Sequence, residues 1–442
     1  MTKISNLPKD LVEEVLSRVP LTSLRNIRLT CKKWNILSKG ESFAKKHLGD
    51  QAKEAATERE FMMVMMMDFR VYLMRVNLHN DVESCIKPEG ELICLDEEDD
   101  VSQVFHCDGL LLCIMEDNTR IVVWNPYWGH TWWIVPTHNF HKLDVYTYAL
   151  GYKQSSKSCR SYKILRFIDF SRTCFEFKIY NINSDSWKVL DVSPDWKIDS
   201  YSRGVSLKGN TYWFARERQG SSTFLVCFDF TRERFRSRFP LPIQPYILDT
   251  VSLSSVREEQ LAVLFQRSRL SEMEMEIWIT TKLEPNAVSW NSKVFLAMDI
   301  GLQFQFQVRA ASFFIDEEKK VVVVFDKEKK YLVSTHNIAY IFGEDGTLEQ
   351  VDLGLSADKF CYPLVCCYVP SLVQLYRFMV NTYKIQRFLE LIFDLWYTLF
   401  LMPLSQFWLC SLESNAALVC PASSGSRYRG ERFKEEYLQR IS

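Results

Sequence analysis

No charge of one sign prevails in this 442-residue chain: 54 basic side chains meet 55 acidic ones, a net charge of −1. That balance gives no electrostatic footprint for nucleic acid, and no basic run suggests a membrane-surface role. Phosphate and zinc signatures are missing too, with no Walker-type loop, GxGxxG or HExxH. The 13 cysteines lack the spacing of a disulfide framework, and Met1-Thr2-Lys3-Ile4-Ser5 lacks the apolar core of a secretory signal. Together these predict free thiols in a reducing compartment, cytoplasmic or nuclear.

Catalytic constellations are equally scarce. Gly204-Val205-Ser206-Leu207-Lys208-Gly209 is one residue too long for a GxSxG elbow and reads as strand–turn–strand, with a hairpin turn at Lys208-Gly209-Asn210. His130, His138 and His141 sit in loop-like sequence around Pro136 and read as surface imidazoles. Cys361, Cys366 and Cys367 lack zinc-ribbon spacing. His106-Cys107-Asp108 suggests a Cys/His nucleophile, yet adjacency along a chain is not the spatial adjacency that activation requires. No catalytic residue, cofactor or metal is expected. The competing classes are an enzyme, which needs convergent acids, a glycan-binding protein, which needs an aromatic platform such as Trp128, Trp132 and Trp133, and a scaffolding protein, which needs neither.

What is present begins at the N-terminus. Pro8 suits a first helical turn, and Leu11, Val12, Val15, Leu16 and Val19 form one apolar stripe with Lys9, Glu13, Glu14 and Arg18 turned away. Pro20 stops that helix, and Thr22 or Ser23 can cap the next, which carries Leu24 and Ile27. Trp34, Ile36 and Leu37 mark a third helix; Phe43 and Leu48 mark a fourth. About 45 residues cannot cover all these side chains with themselves. They pack either on the rest of the chain or on a partner.

Leu7-Pro8, Leu11, Val15-Leu16, Arg18-Val19-Pro20, Leu24, Arg28, Cys31-Lys32, Trp34 and Phe43 resemble an F-box, with Thr30 a departure from its pattern. The resemblance implies docking onto a SKP-type adaptor, and through it a cullin, in an SCF ubiquitin ligase. The adaptor-binding residues it implies are Leu7, Pro8, Leu11, Val15, Leu16, Val19, Pro20, Leu24, Cys31 and Trp34. The module is assigned to residues 1–48, followed by a polar linker or bridging helix over 49–60.

Residues 61–360 read as one all-β domain. Its runs, such as Gly109–Cys113, Arg120–Trp124, Leu261–Phe265 and Val321–Phe325, are short and rich in β-branched and aromatic residues. The methionine-rich Phe61–Leu73 stretch fits strands with Met filling the core. The acidic run Asp96–Asp100 lacks the spaced ligands of a calcium loop and reads as a solvated loop. An aromatic, Asn/Asp/Thr, a turn and a second aromatic recur roughly every fifty residues, at Trp124-Asn125, Tyr180-Asn181, Phe228-Asp229, Trp278 and, degenerately, Phe325-Asp326. That period predicts a kelch-type β-propeller of about five to seven blades over a β-sandwich. Loops Trp128–His130, Gln154–Ser158, Arg216–Gly220 and Arg267–Arg269 are candidate target contacts.

Several elements of this stretch resemble the plant F-box-associated (FBA type) interaction domain. They are Cys107–Cys113, Val123-Trp124-Asn125-Pro126-Tyr127, Ala149–Tyr152, Ser161–Phe167, Ser184–Trp187, Gly204–Trp213, Phe228–Phe230, Phe239–Pro242 and Met275–Trp278. This implies a substrate-receptor domain. The fold class expected is therefore α+β multidomain: a small all-α module, an all-β propeller-like domain, and an atypical tail over 361–442. That tail is apolar, then charged, and is expected to be helical. Leu395–Leu412 carries no charge and approaches membrane-spanning length, but Glu390, Asp394 and Pro403 make a membrane anchor the lesser reading.

Overall fold

A strand with no polar face must be covered on both sides, and the middle strands of this protein meet that condition. Every residue of Leu110–Met115, Ile121–Asn125 and Thr223–Asp229 is buried, as expected of strands sandwiched between neighbouring sheets. Outer strands such as Ser186–Leu190 are largely exposed. The computed structural model describes residues 8–78, 86–91, 100–116, 119–136, 146–156, 159–169, 175–199, 202–246, 249–267, 274–284, 287–291, 293–300, 306, 312–328, 336–356, 358 and 361–374.

These residues form four helices followed by six antiparallel sheets, the blades of a propeller. The second blade shows the plan: Val101–Cys107, Leu110–Met115, Ile121–Asn125 and His130–Ile134, each paired with the next. Blade three starts at Thr147–Ser156, blade five at Thr250–Val256 and blade six at Ser312–Asp316. In blade four the first strand is split into Trp196–Lys197 and Val205–Leu207, both paired with Asn210–Glu217. The innermost strands neighbour one another in succession and close a ring.

The ring is closed by distant parts of the chain. Blade one combines Phe61–Met67, Arg70–Val76 and Ile86–Glu91 with Leu364–Cys367, whose Cys366 pairs with Val64. The β-domain therefore extends past residue 360. Residues 361–374 belong to it and not to a separate tail, because this four-residue strand completes a sheet that begins at residue 61. Beyond it the chain crosses blade two. Asn125 donates from Nδ2 to the Ser371 and Val373 carbonyls, at 3.0 and 2.6 Å. A Cβ on Gly109, at φ +73°, would lie 2.2 Å from the Ser371 Cβ, so only glycine permits this crossing. Residues 375–442, including Leu395–Leu412, lie outside the described residues.

Local chemistry explains the repeat. At the third-strand ends, Asn125 Oδ1 accepts from the Tyr127 N–H, Asn181 Oδ1 from Asn183 N–H, and Asp229 Oδ1 from Thr231 and Arg232 N–H. Each is a side-chain-closed turn of the Asx type. Phe325-Asp326 is not a copy of this feature: it lies in the second strand of its blade, Val321–Lys327, and the corresponding turn follows His336–Gly343. First-to-second strand turns use Asp108-Gly109 and Lys208-Gly209, all at positive φ, as a tight hairpin requires. The methionine run is a strand, with Met63 and Met65 fully buried.

The helices are α1 (Lys9–Ser17), α2 (Leu24–Thr30), α3 (Lys32–Ser38) and α4 (Glu41–Glu58), with a 3-10 turn at Leu21–Ser23. The polar stretch after residue 48 is the second half of α4 and not a separate linker. It is docked where Arg75 donates to Gln51 Oε1 and Glu60 Oε2, at 3.2 and 3.1 Å.

Candidate docking surface of the helical module

The apolar stripe of α1 divides between two environments. Residues four apart share one helical face, and here two such columns diverge. Val12 and Leu16 are buried, with Leu21, Leu24, Phe43 and Ala44, in one hydrophobic core that also contains Val64, Leu73, Trp124, Tyr127 and Trp128 of the first two blades. Leu11 and Val15 are 52% and 53% exposed. Packing on the rest of the chain thus holds for Val12 and Leu16, whereas Leu11 and Val15 stay uncovered among the described residues.

Arg28 fastens this arrangement. It donates from Nη1 to the Tyr127 carbonyl at 2.8 Å and from Nη2 to the Ser38 carbonyl at 3.4 Å. Its guanidinium lies 5.7 and 5.8 Å from the Tyr127 and Trp128 ring centroids, within cation–π range. His47, buried, stands 5.7 Å from the rings of both Phe43 and Tyr127. Its Nε2 faces the Val19 carbonyl at 2.7 Å, and burial holds its pKa below the usual imidazole value. A neutral ring facing a carbonyl carries its proton on Nε2. Lys46 also ties α4 to α1 through Glu14 Oε2 at 2.6 Å, and Lys46 with Arg18 holds that carboxyl below its usual pKa.

The ten residues implied for adaptor contact therefore separate. Pro8, Leu11, Val15, Pro20 and Cys31 are exposed, Val19 and Trp34 half-buried, and Leu16 and Leu24 enclosed. Leu7 lies outside the described residues. Leu16 and Leu24 hold the module to the propeller and offer no contact surface. Cys31 also caps α3, its Sγ accepting from the Trp34 N–H at 3.5 Å. Two exposed side chains were missed: Leu29 on α2 and Ile36 on α3, at 76% and 75% exposure. Only a helix boundary at Cys31 would have singled them out.

Outside this surface the suspected chemistry is quiet. His106 Nε2 accepts from the Gly109 N–H at 3.0 Å, and burial pushes its pKa down to about 4. Burial pushes the Cys107 thiol well up, so this pair offers neither thiolate nor poised base. Among the described residues no group of three His, Cys, Asp or Glu side chains could hold a metal ion. Trp128 and Trp132 are buried, so they form no exposed platform. Arg216 pairs with Asp199, Arg218 with Asp169 and Arg267 with Glu276. His138, His141, Ser268 and Arg269 lie outside the described residues.

Residues 4–46 match the F-box domain family, and residues 62–375 match the F-box associated beta propeller domain. The chain belongs to the plant F-box proteins that carry this propeller. Its relatives include At3g24580 of Arabidopsis thaliana, 80% identical over 378 residues, covering 84% of this chain and 100% of that one. The F-box protein At3g19470 of the same plant is 58% identical over 393 residues, covering 84% and 99%. The F-box/kelch-repeat protein At3g16740 is 54% identical over 400 residues, covering 85% and 100%. A nidogen/laminin complex structure reaches a TM-score of 0.39 at 10% identity over 70% of this chain and 99% of its own, which bears no argument. α1 to α4 are thus the F-box and its extension, and the six blades are the F-box-associated domain.

Proposed function

We propose that this F-box protein is a substrate-recognition subunit of an SCF-type ubiquitin ligase, working in the cytoplasm or nucleus. Its F-box docks onto a SKP-type adaptor, and through it a cullin, while the propeller holds a target protein for ubiquitination and degradation. The chain itself performs no bond chemistry. It raises the effective concentration of the target beside the transferring subunits, as linked binding modules do.

The observation that carries this reading is the two-sidedness of the F-box. One face is built into the propeller core, whereas Leu11, Val15, Leu29 and Ile36 remain exposed on three helices. Exposed apolar side chains on a small helical surface fit an outside helical partner. A glycan-binding role is not favoured, since its aromatic cluster is mostly enclosed. The test is co-purification of full-length protein with a SKP-type adaptor after Leu11→Asp and Val15→Asp are combined. Adaptor recovery is expected to be lost while near-ultraviolet circular dichroism of the propeller is kept. Undiminished recovery contradicts the proposal.

A further inference from the structure

The closing segment of the propeller and the seat of the F-box meet in one side chain. Beyond the strand Leu364–Cys367 the chain crosses blade two as residues 368–374, tied at its start by the Tyr368 N–H, which donates to the Met62 carbonyl at 2.9 Å. Leu372 packs on the core that joins the F-box to the first two blades. Val373 packs on the core between blades two and three. Two consecutive side chains thus enter two different cores, and the segment lies over blade two as a strap.

Asn125, fully buried at the end of the third strand of blade two, holds both sides of this arrangement. Its Nδ2 donates to the Ser371 and Val373 carbonyls of the strap. Its Oδ1 accepts from the Tyr127 N–H at 2.9 Å and so closes the turn Asn125–Gly129. The Tyr127 carbonyl, carried by that turn, accepts from Arg28 Nη1 of α2. A line of hydrogen bonds therefore runs from the strap through Asn125 and Tyr127 to the F-box. An amide suits the place, because it offers two donors on one atom and an acceptor on the other. Loss of the strap removes the two acceptors that fix the orientation of this amide, and with it the support of the Tyr127 turn.

We propose that residues 368–374 are a strap that makes the seating of the F-box conditional on a closed propeller ring, with Asn125 as the positioning residue that transmits closure to Arg28. A ring completed by Leu364–Cys367 holds its F-box fixed, and an open ring leaves it loose. Such coupling is reciprocal: whatever displaces the strap loosens the F-box, and unseating the F-box loosens the strap. The device concerns contacts within one chain and holds whatever the propeller binds.

The test follows hydrogen-exchange protection factors of single amides in the full-length protein. A methyl group at Gly109 meets Ser371 and the Val369 carbonyl, so Gly109→Ala pushes on the strap. Gly346→Ala is the matched control, with the same left-handed backbone, at φ +84°, and nothing within 4 Å of its added carbon. In Gly109→Ala the hydrogen-bonded amides of α2 are expected to lose about tenfold more protection than those of Gln260–Gln266 in blade five. Gly346→Ala is expected to show no such excess. Asn125→Asp keeps an acceptor for the Tyr127 N–H but sets an oxygen against the two strap carbonyls, and is expected to act as Gly109→Ala does.

The reverse direction is read in Arg28→Ala, a change in the F-box whose bonds go to Tyr127 and Ser38. The strap N–H groups of Tyr368 and Val373, bonded to the Met62 carbonyl and to Ser371 Oγ, are expected to lose about tenfold of their protection. Arg28→Ala alters no propeller residue, so it remains decisive if either blade-two variant fails to fold. An equal fall at α2 and at Gln260–Gln266 in both blade-two variants would mark an ordinary loss of stability and overturn the proposal. Unchanged strap amides in Arg28→Ala would overturn it as well.

Discussion

The F-box and the propeller use apolar residues in opposite ways. In the propeller, second and third strands such as Leu110–Met115 and Ile121–Asn125 are buried along their whole length, and large side chains such as Trp213 and Phe228 are inaccessible. In the F-box, α1 buries Val12 and Leu16 yet leaves Leu11 and Val15 outside, and α2 and α3 present Leu29 and Ile36. Burial of one such side chain is worth about 1.5–3 kcal/mol. The propeller thus spends its apolar surface on its own cohesion. The F-box divides it between attachment to the first two blades and a face left open among the described residues.

That contrast can be broken most forcefully inside the propeller. Trp213→Ala removes a fully buried indole that packs edge-on to Phe167 at 5.8 Å and covers Gly204. A loss of about 3–5 kcal/mol is expected in chemical denaturation. At the junction, Arg28→Ala deletes the Tyr127 hydrogen bond and two ring contacts. About 1–3 kcal/mol should be lost. Limited proteolysis should then release the F-box helices before the blades are cut. Cutting of both regions at one rate would mean that they unfold as a unit.

A pH effect sharpens the same boundary. The folded-state pKa of His47 is depressed by burial, below its ordinary value of 6.5. Above pH 6.5 the ring is neutral in folded and unfolded chains and contributes no difference. As pH falls below 6.5 the unfolded chain binds a proton that the folded one resists, so stability decreases. The protection factors of α1 and α4 amides, which correct for the intrinsic slowing of exchange in acid, are expected to fall on acidification from pH 7 to 5. His47→Gln should flatten that response. An unchanged pH slope in that variant would remove His47 as its source.

Sequence reading recovered the elements whose logic is local. The propeller was legible because Asn125, Asn181 and Asp229 each close a turn with neighbours two or three residues away, beside aromatics that pack within the blade. The closing strand Leu364–Cys367 was not, since it is four residues long and its partner Phe61–Met67 lies at the other end of the domain. Over residues 49–60 the helical alternative to a linker holds as far as Glu58, but as a continuation of α4 and not a separate bridge, because a second half polar on most faces hides continuity. In the F-box the apolar stripe was legible, but its division was not. Periodicity states which residues share a face and not which face meets the same chain, so Leu16 and Leu24 were grouped with Leu11 and Val15.

The smallest stability effect carries the largest functional one. Leu29→Asp with Ile36→Asp changes side chains already in water, so stability should move by less than about 0.5 kcal/mol for each. Val189→Asp, at an exposed apolar position on the outer strand of blade three, is the matched control. The decisive measurement is the dissociation constant of full-length protein for a purified SKP-type adaptor, by calorimetry, for these two variants and the native chain. A weakening of about thirtyfold or more is expected for the F-box pair, with native affinity for the Val189 control. Equal affinity in all three proteins would contradict the claim that the open face of the F-box awaits an adaptor.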